Sequence, residues 1–257
     1  MNEINLNGKV AIVTGSSMGI GEAIAKQFAQ HGADVFILGR RMEILKSVRS
    51  EFEKIDLKIT AFKCDVSSES DVKEFFTNHI SPNGKLDILV NNAAVFYRKT
   101  LMDTSTKEFI NMSNVNFLGV FLMIKNAVPF LEKNPESNII NISSVAGCIP
   151  PQGQNVYGST KAAINHMTKG LAVELGPKGI KVNAIAPGPV NTPVWDTIAP
   201  DIDEQTKLKD MLRKKIPIGR IGEVEDISLW AMNIVSPDNT WMTGCILNID
   251  GGRGLVT

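Results

Sequence analysis

The chain has 257 residues, 43% of them hydrophobic, with 27 basic and 27 acidic side chains and a formal net charge of zero at pH 7. That length suits one α/β domain with a full core, and the balance of charge argues against nucleic acid or an anionic membrane surface as partner, leaving a small molecule. The cysteines, Cys64, Cys148 and Cys245, lie far apart and form no C-x-x-C, which argues against a zinc site or a disulfide framework.

The opening segment MNEINLNGKV has neither an apolar core nor a cleavage pattern of the secretory kind. The longest apolar stretch, FLGVFLMI, stops at Lys125, short of the roughly 18 residues of a membrane span. A cytoplasmic protein with reduced thiols and no membrane partner is expected.

From there, compact apolar runs alternate with longer segments of helical spacing. KVAIV reads as the first strand and leads into TGSSMGIG, then into GIGEAIAKQFAQHG, a helix that Gly32 is placed to stop. DVFIL is the second strand and runs into Gly39, Arg40 and Arg41; KITAFK is the third. DILVN precedes NNAA, NIINI precedes SSVAG, IKVNAIA precedes PGPVNTP, and CILNI closes the series. Strands apolar throughout and separated by helices predict a doubly wound parallel sheet of about seven strands, covered on both faces, in a single domain. In such sheets ligands bind beyond the carboxyl ends of the strands. The four unusual segments all follow strands, so they are expected to converge on one site.

Gly15, Gly19 and Gly21 lie between the first strand and first helix, where the missing Cβ lets backbone N–H groups approach phosphate. Their spacing is G-x-x-x-G-x-G, and no G-K-[ST] follows as a P-loop requires. At the end of the second strand Gly39 stands where an acid would take a ribose 2′-hydroxyl, and Arg40 and Arg41 can instead take a 2′-phosphate. The preferred coenzyme is therefore expected to be NADP(H), with NAD(H) possible. Tyr157 and Lys161, at i and i+4 on a predicted helix, share one face, so the ammonium can favour phenolate and bring the tyrosine toward use as an acid or base.

With NISSVAG placed thirteen residues upstream of Tyr157, the sequence resembles the short-chain dehydrogenase/reductase family. TGSSMGIG is similar to its T-G-x-x-x-G-I-G, NNAA to its N-N-A-G, and Ser144, Tyr157 and Lys161 to its S-x12-Y-x-x-x-K. The resemblance runs from Lys9 to the IDGG near the C-terminus. It implies a Rossmann-type fold and an oxidoreductase for a small carbonyl or alcohol substrate. Ser144 would hold the substrate oxygen, Tyr157 would move the proton, Lys161 would tune Tyr157 and bind the nicotinamide ribose, and Asn116 would hold a water of the proton relay. Gly15, Ser17, Met18, Gly19, Ile20 and Gly21 would line the coenzyme, Asp65 would accept from the adenine amino group beside Val66, and Asn92 would line the ribose. Pro187 and Gly188 would shape a turn from which Val190 and Thr192 meet the carboxamide. Two residues depart from the pattern: Ala94 replaces a glycine, which would tighten the backbone near the coenzyme, and Met18 stands where NADP-preferring relatives carry a base.

Residues 193–223 are expected to form a substrate lid, with Trp195, Ile198, Leu208, Met211 and Leu212 as its apolar face. Acids and bases balance along this stretch, so an acyl carrier protein finds no basic patch, and 3-oxoacyl reduction ranks second within the class. A nucleotide sensor or scaffold, or a lyase or epimerase on the same fold, are the alternatives from other classes. His31, His79 and His166 have no metal-ligand spacing. The resemblance implies a homotetramer built on the helices FLGVFLMIKNAVPF and YGSTKAAINHMTKGLAVEL, which read as more apolar than one sheet face requires.

Overall fold

Seven parallel strands form one sheet in the order β3-β2-β1-β4-β5-β6-β7, in a computed structural model that describes residues 4–256. The strands are β1 Val10–Thr14, β2 Asp34–Gly39, β3 Ile59–Lys63, β4 Ile88–Asn91, β5 Ser137–Ile142, β6 Ile180–Pro187 and β7 Ile246–Ile249. Each falls on one of the apolar runs. β5 is buried at every position and β6 at all but one, as expected of strands covered on both faces.

Two apolar cores follow, one per face. On the first, α1 Gly19–Gln30, α2 Met42–Glu53 and α9 Val224–Val235 pack on the sheet around Phe28, Ile37 and Leu45. On the second, α3 Glu69–Phe75, α5 Gly119–Leu131 and α6 Asn155–Leu175 enclose Leu89, Met123 and Ile139. Strand order reverses between β1, which pairs with β2, and β4, which pairs with β1 on the other side. The crevice at that switch point is where ligands bind in open α/β sheets.

The helix before β5 is not regular. α4 Thr106–Ser113 and α5 are joined by a π-helical turn, Asn114–Leu118, which makes one run from Thr106 to Leu131. By length and composition alone this run could cross a membrane, but half of its most apolar window is packed inside the protein. Its outer face exposes Phe109, Ile110, Phe117, Leu118 and Phe121. α6 was expected to show a similar excess, yet Val173 is its one large exposed hydrophobe among the described residues. All three cysteines are unpaired.

Candidate active site

The ends of β1, β2, β4, β5 and β6 open into one cavity of about 1090 Å³. At its nucleotide end, the chain leaves β1 through Gly15, whose φ is +64° and on which a Cβ would stand 2.7 Å from the Cα of Ala93. Only glycine fits a turn pressed that closely against the segment that follows β4. Asn92 holds the two together, donating from Nδ2 to the carbonyls of Thr14 and Gly15, each at 3.0 Å. Ser17, Met18, Gly19 and Ile20 line the cavity. Gly21 sits behind them, buried and packed on Asn92 and the Gly15 carbonyl, so it seats α1 rather than meeting a ligand.

Arg40 and Arg41 line the same end, and neither pairs with a carboxylate among the described residues. Arg41, the residue that precedes α2, donates to the thioether of Met18 at 3.6 Å. The position where a base was missing is thus reached by a base from another segment. Asp65 and Val66 complete the wall; one Asp65 oxygen accepts from the Ser67 N–H at 3.0 Å and its hydroxyl at 2.6 Å. Ala94 adopts no positive φ, so alanine in place of glycine brings no backbone strain.

At the reaction end stand Ser144, Tyr157 and Lys161. Ser144 is extended, with its hydroxyl accepting from the Ala146 N–H at 3.1 Å, which fixes the short turn after β5. α6 can approach that turn because Tyr157 is followed by Gly158, where a Cβ would meet the Ala146 carbonyl oxygen at 2.6 Å. Neither Gly158 nor the facing Gly147 was singled out from the sequence; both stand inside the motif segments. Ser143 also lines the cavity, with its buried hydroxyl donating to Asn165 at 2.6 Å. The ring of Phe96 meets Tyr157 edge-on, with centroids 4.7 Å apart.

Burial pushes the Tyr157 phenol up from 10.0 to about 12, with the Ser144 side chain pulling the other way, and burial pushes Lys161 down from 10.5 to about 8. The expected lowering of Tyr157 by its lysine is therefore not present in the chain by itself. The Lys161 ammonium lies 5.7 Å from the tyrosine ring centroid and donates to the Ile142 carbonyl at 2.7 Å. A lysine whose folded value lies below its unfolded value costs stability while protonated. That cost fades as pH rises between about 8 and 10.5. Wild type is thus expected to gain stability relative to Lys161→Met across this window, as read by urea unfolding; a constant difference would show that the lysine is not desolvated.

Asn116 lies behind the cavity wall. It is fully buried in the π-helical turn and lines no part of the cavity. Its Oδ1 accepts from the Val95 N–H at 2.8 Å, while Nδ2 donates to the Val95 carbonyl at 2.9 Å and to the Thr160 hydroxyl at 3.3 Å. The side chain thus ties the segment bearing Phe96 to the helix bearing Tyr157, with both Nδ2 hydrogens used and one acceptor position of Oδ1 left over.

Pro187, Gly188, Val190 and Thr192 line the cavity after β6. Gly222 then returns to this segment, donating to the Pro189 carbonyl at 2.9 Å and accepting from the Asn191 N–H at 2.7 Å. The ends of the intervening stretch are thereby pinned together. Between them lie α7 Val194–Ile198 and α8 Ile202–Arg213, from which Trp195, Ile198, Leu208 and Leu212 face the cavity. Met211 instead faces solvent. Unforeseen lining residues include Tyr97, Arg98, Gln154 and Arg253, which belong to no motif.

A family model described as enoyl-(acyl carrier protein) reductase, of the short-chain dehydrogenase/reductase type, matches residues 15–253. The chain belongs to the short-chain dehydrogenase/reductase family. It is 34% identical over 249 residues to the 3-oxoacyl-[acyl-carrier-protein] reductase FabG of Thermotoga maritima, covering 97% of this chain and 99% of that one. It is 35% identical over 247 residues to the 2,5-dichloro-2,5-cyclohexadiene-1,4-diol dehydrogenase LinX of Sphingobium indicum, covering 96% of each. A short-chain type dehydrogenase/reductase from Mycobacterium marinum superposes with a TM-score of 0.89 at 31% identity, over 97% of this chain and 96% of that one. As a short-chain dehydrogenase/reductase, the protein is an oxidoreductase acting on CH–OH or C=O groups with NAD(P). The glycine turn, the unpaired arginines and the open cavity between them and Tyr157 fit such a coenzyme.

Proposed function

We propose that this protein is an NADP(H)-dependent oxidoreductase for a small carbonyl compound or secondary alcohol. The observation that carries the reading is the placement of Ser144, Tyr157 and Lys161 on one wall of a cavity whose far end is lined by Arg40 and Arg41. When bound, the nicotinamide supplies or takes up the hydride. The chain's own residues do the rest. Ser144 donates a hydrogen bond to the substrate oxygen, Tyr157 delivers a proton to it in reduction, and Lys161 turns from the Ile142 carbonyl toward the ribose and the phenol. Charge from Lys161 near Tyr157 then stabilises the phenolate left behind. The stretch 193–223 acts as a lid that closes its apolar side over the substrate and excludes water.

A panel of ketones, sugars and 3-oxoacyl thioesters, assayed by nicotinamide absorbance with NADPH, tests this. Net coenzyme turnover separates an oxidoreductase from a lyase, an epimerase or a nucleotide sensor. The second reading, 3-oxoacyl reduction, draws on the name of the Thermotoga maritima relative. It requires that thioesters outperform free ketones.

The site works in the cytoplasm on this reading, where its thiols stay reduced. The apolar outer face of α4 and α5, with Phe109, Phe117 and Phe121 exposed, suits an isologous contact between copies, and the tetramer forms when a second contact pairs the dimers. Light scattering at micromolar concentration is expected to give four times the chain mass; a monomer mass would refute the assembly.

A further inference from the structure

Two arginines reach the reaction end of the cavity from segments distant in sequence. Arg98 follows β4 and Arg253 follows β7, and both line the cavity together with Ser144 and Tyr157. Arg98 stands two residues after Phe96, the ring set edge-on to Tyr157, and its side chain lies beside Gly153 in the loop leading into α6. The neighbouring cation, Lys99, is spent outside the cavity on Glu108 at 2.7 Å. Arg98 has no such partner among the described residues. Arg253 is positioned by a rigid turn, in which the Asp250 carboxylate accepts from the Gly252 N–H at 2.9 Å and the Gly254 N–H at 2.7 Å. Gly254 in turn packs on Val145, the residue after Ser144. The Arg253 guanidinium donates to the Val256 carbonyl at 2.6 Å, and it pairs with no carboxylate among the described residues, which leaves other N–H groups for a ligand. Of the acids lining the cavity, Asp65 accepts from Ser67 and Asp196 accepts from Gln205 at 3.3 Å, and neither pairs with these arginines.

The coenzyme phosphates do not account for these cations, because the glycine turn and Arg40 and Arg41 lie at the other end. Two guanidinium groups without carboxylate partners lend this part of the cavity positive potential, and a carboxylate matches their planar, forked donors. We infer that Arg98 and Arg253 form an anion subsite, and that the substrate is a small oxo or hydroxy acid. Its carboxylate is held there while its carbonyl or carbinol group meets Ser144 and Tyr157. This inference rests on the oxidoreductase reading. In reduction the carbonyl carbon takes the hydride from NADPH and the carbonyl oxygen takes the Tyr157 proton, so the acid group itself is unchanged.

The test compares 3-oxobutanoate, 4-oxopentanoate and 5-oxohexanoate with their ethyl esters, using wild type, Arg98→Gln and Arg253→Gln. The series places the carbonyl at different distances from the charge. For the acid of fitting length, kcat/KM should exceed that of its ester by about tenfold or more, and the acid-to-ester ratio should fall by about 10- to 100-fold in Arg98→Gln, mainly through KM. Esters equal to or better than acids throughout would overturn the subsite and leave the oxidoreductase reading standing. The same holds if Arg98→Gln lowers both alike, or if a phosphopantetheine thioester depends on Arg98 while the carboxylates do not. If none of the compounds turns over, nicotinamide fluorescence of the NADPH complex is titrated with the acids. A saturable response lost in Arg98→Gln supports the subsite, and no response overturns it. Failure to bind NADPH at all would reject the oxidoreductase reading.

Discussion

Tyr157→Phe is expected to lose turnover by about a thousandfold or more while binding NADPH as wild type does. The substitution removes one oxygen and keeps the ring, so the edge-on contact with Phe96 at 4.7 Å and the seating of α6 survive. What disappears is the proton that the substrate oxygen must receive as the hydride arrives. Ser144 cannot take over, since its hydroxyl is far too weak an acid to leave an alkoxide behind near neutral pH. With burial holding the phenol at about 12 in the chain alone, Tyr157 is fully protonated near neutrality and ready for reduction. Oxidation of an alcohol needs the phenolate, so that direction should speed up as pH rises. Steady-state absorbance gives the rate and nicotinamide fluorescence gives the affinity. Turnover close to wild type would remove Tyr157 from the mechanism.

The strands were legible because each is a short apolar run ending in a turn, a pattern that a doubly wound sheet imposes on every buried strand. Convergence of the site was legible for the same reason: once the strands are parallel, the segments after them share an edge. Tyr157 and Lys161 share a helix face by spacing alone, but the direction of the lysine is set by the Ile142 carbonyl, from a strand that no local pattern connects to it. Asn116 shows a similar limit. Its place in the motif was readable, whereas the π-helical turn that buries it against Val95 is a change of backbone hydrogen bonding that no residue type in NVNFL announces. Met18 was read as a missing base; that Arg41 extends to it across the glycine turn is a contact between two loops and has no sequence signature. Arg98 and Arg253 line one cavity because β4 and β7 end on the same edge.

Replacing Arg40 with Asp should move coenzyme preference from NADPH toward NADH by about 2 to 4 kcal/mol, roughly 30- to 1000-fold in the ratio of kcat/KM values. The shift has two parts. Loss of the guanidinium removes charge-assisted hydrogen bonds to the 2′-phosphate, and the new carboxylate repels that phosphate while accepting from a free ribose diol. Room for an acid exists here, since even at Gly39 a Cβ would find nothing nearer than the Leu45 side chain at 3.7 Å. Glycine at that position is therefore not forced by packing, which agrees with the proposed preference for NADPH. Arg41 remains in the variant, held toward Met18, so some affinity for NADPH should persist. Arg41→Gln alone should lower NADPH affinity without improving NADH, because it removes attraction and adds no repulsion. If wild type prefers NADH, or if Arg40→Asp leaves the ratio unchanged, Arg40 is a solvated residue at the start of α2, and coenzyme choice is made elsewhere in the glycine turn.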